Sequence, residues 1–175
     1  MLIVLLDADV IIDLHRFGIW EKILKKNKIL IPSTILRHEV FYFVDTAGIK
    51  HYIDLIDDAG NAFTEVSATA EDLIQFKQKF DRFIEEELDP GETEALKILL
   101  DRNDCYFCTC DKVAIKTMAL LGKREQALSF EKLLKSSGFT KSLELKHTEN
   151  YFKKYLDEGS ILRIQRFGLK KNGAE

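Results

Sequence analysis

A chain of 175 residues with 46% apolar and 31% charged side chains carries enough apolar material for one ordinary core, and no Gly/Ser-rich linker or single-sign charge run divides it. A net charge of −3 excludes a surface that is basic all over, so a nucleic-acid contact would have to use a local stripe of lysines and arginines. No apolar run approaches the roughly 20 residues of a membrane span. The N-terminus lacks the pattern of a signal peptide, and the three bunched cysteines Cys105, Cys108 and Cys110 make no disulfide framework, which predicts a cytoplasmic protein.

Residues 2–6 are uniformly apolar and rich in branched side chains, and the run stops at Asp7. Such a run reads as the central strand of a parallel sheet, covered on both faces. Helices are expected from Val10 and over 19–26, and residues 28–31 form a second strand closed by Pro32. Ser33 reads as the N-cap of a helix running to about Val44, with Leu36, Val40 and Phe43 as its apolar stripe and Glu39 at the edge of that stripe. A helix over 49–59, a short strand over 62–66 and a long amphipathic helix over 70–88 follow.

Asp89-Pro90-Gly91-Glu92 has the pattern of a capping box, with Asp89 as N-cap, Pro90 at the first helical position and Glu92 at the third. Glu92 therefore has a structural task, which makes Glu94, a turn further in, the better candidate for chemistry. Residues 105–110 repeat the logic of the first strand and end on Asp111, with the helix 112–121 after it. A last short strand over 124–129, helices over 130–136 and 148–166, and a flexible tail over 167–175 complete a domain spanning 1–166 with a helical C-terminal extension from about 130.

Strand–helix alternation predicts an α/β fold, a three-layer α/β/α sandwich around a central, mostly parallel sheet. In that architecture Asp7 and Asp111 emerge at the same edge, and Glu39 and Glu94 belong to helices that start there. Four carboxylates repel one another unless protonated or neutralised, and oxygen-only ligation suits Mg²⁺ or Mn²⁺. A site of this kind activates water and stabilises charge during phosphoryl displacement. Metal-assisted hydrolysis of a phosphodiester is the expectation.

The segments Leu-Leu-Asp-Ala-Asp-Val-Ile-Ile-Asp-Leu, Ile-Pro-Ser-Thr-Ile-Leu-Arg-His-Glu, Gly-Glu-Thr-Glu-Ala-Leu and Cys-Thr-Cys-Asp, in this order and spacing, resemble a PIN-domain protein over roughly residues 2–121. The resemblance implies a Mg²⁺/Mn²⁺-dependent ribonuclease with its acids at Asp7, Glu39, Glu94 and Asp111. Asp9 and Thr109 fall on supporting positions, and Glu92 competes with Glu94 for the third acid. It further implies RNA as substrate, a homodimer and, since many relatives are toxins of toxin–antitoxin pairs, an antitoxin protein as partner.

Lys112 and Lys116, one turn apart beside Asp111, are candidate RNA-backbone contacts, and Lys153, Lys154, Arg163, Arg166, Lys170 and Lys171 form a second basic group. Asp7-Ala8-Asp9-Val10 also fits the opening of haloacid-dehalogenase-like phosphatases, with Asp7 as nucleophile. That chemistry needs a later acid pair, and the chain's only Asp pair is Asp57-Asp58. A catalytically silent RNA-binding or interaction module of the PIN type is the third reading. Cys105-x-x-Cys108 has zinc-like spacing, but strand alternation sends the two thiols to opposite faces.

Overall fold

A computed structural model describes residues 1–56 and 62–170. In chain order the elements are β1 (Ile3–Leu6), α1 (Ala8–Arg16), α2 (Trp20–Lys26), β2 (Lys28–Pro32), α3 (Ser33–His38), β3 (Tyr42–Val44), β4 (Lys50–Tyr52), β5 (Thr64–Val66), α4 (Ala70–Lys77), α5 (Arg82–Glu87), α6 (Pro90–Asp101), β6 (Tyr106–Cys108), α7 (Lys112–Leu120), β7 (Ala127–Leu128), α8 (Phe130–Ser136) and α9 (Glu149–Gln165). Short 3₁₀ turns precede β7 and α9.

Five strands form a parallel sheet in the order β5-β2-β1-β6-β7. The first strand is central because its side chains are apolar on both faces. Val4 and Leu6 join one apolar cluster with Ile29, Ile31 and residues of α1, α2, α3 and α8. Leu5 joins the other, with Leu30, Phe107 and residues of α4, α5, α6, α7 and α9. Val4, Leu5 and Leu6 are fully buried, and each such side chain contributes about 1.5–3 kcal/mol. Helices thus flank a central parallel sheet, the arrangement expected of an α/β chain.

The order reverses between β1 and β6: the chain builds outward through β2 and β5, then returns to place β6 on the other side of β1. In open parallel sheets the crevice at such a reversal, outside the carboxyl ends of the strands, is where ligands bind. Asp7 follows β1 directly, and its backbone N–H donates to the Cys108 carbonyl at the end of β6 at 3.1 Å.

Three expected helices are different in the structure. The helix expected over 33–44 ends at His38, begins from Pro32 rather than from a Ser33 cap, and gives way to an antiparallel hairpin of β3 and β4. Val40-Phe41-Tyr42-Phe43-Val44 is a β-branched and aromatic run whose strand preference outweighs a helical spacing of only a few apolar residues. Lys50–Tyr52, expected to be helical, is the partner strand, residues 53–56 after it are not helical either, and positions 57–59, with the Asp57-Asp58 pair, lie outside the described residues.

The long helix expected over 70–88 is two helices. Asp81 caps the second, accepting from Ile84 N at 3.1 Å. The break is occupied by the chain after α9: Phe80 forms an antiparallel bridge with Leu169, Asp81 N donates to the Gly168 carbonyl at 3.0 Å, and Lys170 N donates to the Lys79 carbonyl at 2.8 Å. No helix among the described residues is long and apolar enough to cross a membrane.

Candidate functional site

Three of the helices that open at the carboxyl edge of the sheet are capped by aspartates. Asp7 caps α1, with Oδ1 accepting from Ala8 N at 2.8 Å. Asp111 caps α7, with Oδ1 accepting from Val113 N at 2.6 Å and Ala114 N at 3.0 Å. Asp89 caps α6 within the expected capping box: Glu92 N donates to Asp89 Oδ1 at 2.7 Å and Asp89 N donates to Glu92 Oε2 at 3.1 Å. The positive ends of three helices make this edge tolerant of carboxylates.

Thr109 links two of these acids. Its hydroxyl donates to Asp7 Oδ2 at 2.5 Å and accepts from Asp111 N at 3.0 Å, and the residue is fully buried. The hydroxyl expected in a supporting position thus holds the ends of β1 and β6 in register at the point where both acids emerge.

Burial and mutual repulsion govern the cluster. Burial pushes the Asp7 carboxyl up to about 7, against the hydrogen bonds from Thr109 and Ala8, and the charges of Asp89 and Asp9 push in the same direction. Glu92, also buried, is pushed up to about 9 by burial and then by the charges of Asp7, Asp111 and Asp89. Burial followed by the charge of Asp89 raises Glu39 to about 7. Asp89 itself is raised by burial and by Asp111 and Asp9. Among the described residues no lysine, arginine or histidine forms an ion pair with Asp7, Glu39, Asp89, Glu92 or Asp111.

The two glutamates of α6 are used differently. Glu94 is 2% exposed and both its oxygens accept backbone N–H groups, from Thr34 at 2.8 Å and Ala68 at 3.0 Å. It ties the start of α3 to the segment after β5, and of the site acids its charge bears on Glu39. Of the two, Glu92 is the one raised by the charges of Asp7 and Asp111, as Asp89 is raised by that of Asp111. Helical geometry is the reason: residues 92 and 94 point about 200° apart around the axis, so one can face the sheet reversal while the other faces β2 and β5. The capping task of Glu92 occupies Oε2 only, and Oε1 of Glu92 and Oδ2 of Asp111 accept no hydrogen bond among the described residues.

Glu39 is not within a helix but at the C-cap of α3. Its Oε1 accepts from Gly91 N at 2.9 Å, which brings the acid of α3 onto the first turn of α6. Asp9 is exposed on the first turn of α1, 3.9 Å from the Lys146 ammonium. Lys146 also stands 3.3 Å from Asp13. Asp89 and Lys146 were not expected to border the site. The signal for Asp89 was its N-cap position at an edge where other helices also start; Lys146 had none, because it reaches the edge from a 3₁₀ turn far along the chain.

The basic residues do not form one patch. Lys112 is exposed at the first turn of α7, whereas Lys116 is 2.7 Å from Glu158 and stacked over Tyr155. Arg163 donates to the Leu120 carbonyl at 2.9 Å, Lys153 is 3.8 Å from Glu149, and Lys170 is 3.7 Å from Glu85. Lys171 lies outside the described residues. Cys108 and Cys110 sit in one apolar cluster and Cys105 in the other, all buried and with thiols pushed up by burial, so they are packing residues.

Among the described residues no three His, Cys, Asp or Glu side chains are placed so that they could hold a metal ion together. The donor set, carboxylate oxygens with no imidazole or thiolate among them, fits a hard divalent cation. Comparison with protein-family models, with curated proteins and with solved structures finds no match for this chain.

Proposed function

We propose that this protein is a metal-dependent ribonuclease of the PIN type, hydrolysing RNA phosphodiester bonds at the carboxyl edge of the sheet with Mg²⁺ or Mn²⁺. The observation that carries the reading is the geometry at the reversal of strand order, where the Thr109 hydroxyl joins Asp7 Oδ2 to the Asp111 backbone N–H, with Glu92 buried on the helix that opens there and no basic partner to these acids among the described residues. Asp7, Glu92 and Asp111 are the residues suited to hold the ion, with Glu39 and Asp89 beside them. Glu94, the other candidate third acid, supports the site by anchoring α3 through its two backbone hydrogen bonds.

A bound Mg²⁺ or Mn²⁺ would neutralise these acids, lower the pKa of water and offset charge on the phosphodiester. Thr109 fixes the orientation of Asp7 and supports the backbone at Asp111. Glu39, pushed up to about 7, can accept a proton near neutral pH, as a group orienting an attacking water must. Lys112 follows Asp111 in the chain and Lys146 stands 3.9 Å from Asp9 at the same edge, and both suit contacts to the anionic backbone.

Cleavage of single-stranded RNA and DNA assayed with Mg²⁺, Mn²⁺ or chelator tests the reading. RNA cleavage that requires the ion and is lost in Asp7→Asn, with the circular dichroism spectrum unchanged, is expected. Full activity of Asp7→Asn, or cleavage that persists in chelator, would remove the carboxylate site from the mechanism. The partners implied by the same resemblance, an antitoxin protein and a second copy of the chain, are tested by co-purification and by sedimentation.

A further inference from the structure

The β3–β4 hairpin grows directly out of the site, since Glu39 and β3 are separated by two residues. Its turn is well tied: Asp45 Oδ1 accepts from Ala47 N and Ile49 N, each at 2.9 Å, and Asp45 Oδ2 lies 2.7 Å from His51 Nε2. Gly48, at φ +80°, allows the chain to close. The register places Tyr42 opposite Tyr52, Phe43 opposite His51 and Val44 opposite Lys50. Phe43 and His51 stack on one face, with Phe43 packed on the core. Strand alternation then puts Tyr42, Val44, Lys50 and Tyr52 together on the outward face.

That face is unusual for a surface hairpin. Tyr52 is 79% exposed and Tyr42 43%. The two rings lie 6.4 Å apart, and the Lys50 ammonium stands 3.6 Å from the Tyr42 ring centre and 5.1 Å from that of Tyr52. Lys50 has no acidic partner among the described residues, so the formal charge of this face is positive. A cleft of about 390 Å³, lined by Ile12, Glu39, Phe41 and Tyr42, runs from the acid of α3 to the base of the hairpin.

Aromatic rings with an interleaved lysine are what single-stranded nucleic acid uses: bases stack on the rings and the cation meets the phosphates. Two strands of three residues, about 10 Å long and about 5 Å apart, give a face on the order of 100 Å², far short of the roughly 800 Å² per partner that a stable protein interface needs. Its two rings offer one stacking surface each, enough for about two bases. The geometry points to the outward face of this hairpin as a stacking platform for unpaired bases of RNA, next to the scissile phosphate. This rests on the reading of the edge as an RNA-cleaving site, and it specifies the substrate as single-stranded there, because bases within a duplex present no free face.

The test is fluorescence anisotropy of a labelled oligouridine and of a labelled RNA duplex, in chelator so that binding is read apart from cleavage. Tyr42→Ala/Tyr52→Ala is expected to weaken oligouridine binding about five- to a hundredfold, while Tyr42→Phe/Tyr52→Phe keeps it and duplex binding scarcely changes. Crosslinking of 4-thiouridine RNA to Tyr52 in the unaltered chain gives a second readout, and Tyr52→Ala alone, at so exposed a position, leaves folding intact. Unchanged affinity in the double variant overturns the platform. So does a dimer that Tyr52→Ala dissociates without loss of RNA affinity, since the face would then belong to a second copy. Ring-dependent binding without cleavage in any metal leaves the platform standing and ends the nuclease reading; metal-dependent cleavage that neither ring affects does the reverse.

Discussion

Glu39 and Gly91 meet where the end of α3 faces the first turn of α6. The Gly91 N–H donates to Glu39 Oε1 at 2.9 Å, and a Cβ built on Gly91 would lie 2.3 Å from Glu39 Oε2 and 2.6 Å from Ile35 Cγ1. Only a residue without a side chain lets the carboxylate approach this backbone. Gly91→Ala is therefore expected to expel Glu39 from the site and to shift Ile35, costing about 1–3 kcal/mol together with most of the metal-dependent cleavage. Thermal unfolding and RNA cleavage measured on the same preparation check both halves. An alanine variant as stable and active as the parent would show that Glu39 is not needed at this position.

Glu92 and Glu94 are separable by what their loss does. Glu92→Gln keeps an oxygen for the Asp89 N–H, so it is expected to abolish cleavage while leaving the fold intact. Glu94→Gln weakens one of two buried hydrogen bonds, to Thr34 or Ala68. It is expected to lower stability by about 1–3 kcal/mol and to reduce activity only as far as the start of α3 moves. Urea unfolding set beside cleavage rates distinguishes the two. A Glu92→Gln chain with undiminished cleavage would return the role to Glu94.

The raised acids set a pH dependence. Glu92 rises from 4.5 to about 9, Asp7 from 3.8 to about 7 and Glu39 from 4.5 to about 7, so the folded chain holds more protons than the unfolded one between those values. Their contribution to stability is greatest at the acid end and is lost as pH rises from 3.8, the unfolded value of Asp7, to about 9, the folded value of Glu92. Metal-free protein is expected to melt at progressively lower temperature across that range. Glu92→Gln should flatten the slope, and Mn²⁺ should raise the melting temperature most at the alkaline end. A melting temperature independent of both pH and Mn²⁺ would mean that the acids are not clustered.

Asp13 and His147 form a buried pair, with Asp13 Oδ2 2.6 Å from Nε2 and both residues 1% exposed. Burial raises the Asp13 carboxyl, but the His147 hydrogen bond and the charges of Lys146, His147 and Arg16 outweigh it and hold the group below its ordinary value. The pair pins the turn that carries Lys146 against α1. His147→Ala removes the hydrogen-bond donor but leaves the Arg16 guanidinium at 2.9 Å and the Lys146 ammonium at 3.3 Å to compensate the charge, at an expected cost of about 1–3 kcal/mol in urea unfolding at neutral pH. Because the pKa of Asp13 is depressed, its contribution is present above 3.8 and lost as pH falls through the folded value, so the deficit of the variant should shrink in acid.

Much of the framework was readable in the residues themselves. The apolar run ending at Asp7 identified the central strand, because only a strand covered on both faces is apolar at every position. Asp89-Pro90-Gly91-Glu92 announced the start of α6, because capping is decided within four residues. The periodicity of residues 105–121 announced β6, Asp111 and α7 for the same reason: each of these signals is local.

What the sequence could not decide depended on partners distant along the chain. The helix expected to run to Val44 became a hairpin because β3 found β4, and strand pairing is not written in the spacing of one strand. The helix expected over 70–88 broke at Phe80 because residues 168–170 dock there, an encounter between segments some ninety residues apart. The choice between the two α6 glutamates depends on how that helix is rotated against the sheet, which no local pattern encodes; a capping role and a place beside the other acids exclude each other only if the side chain has one oxygen to give, and Glu92 has two.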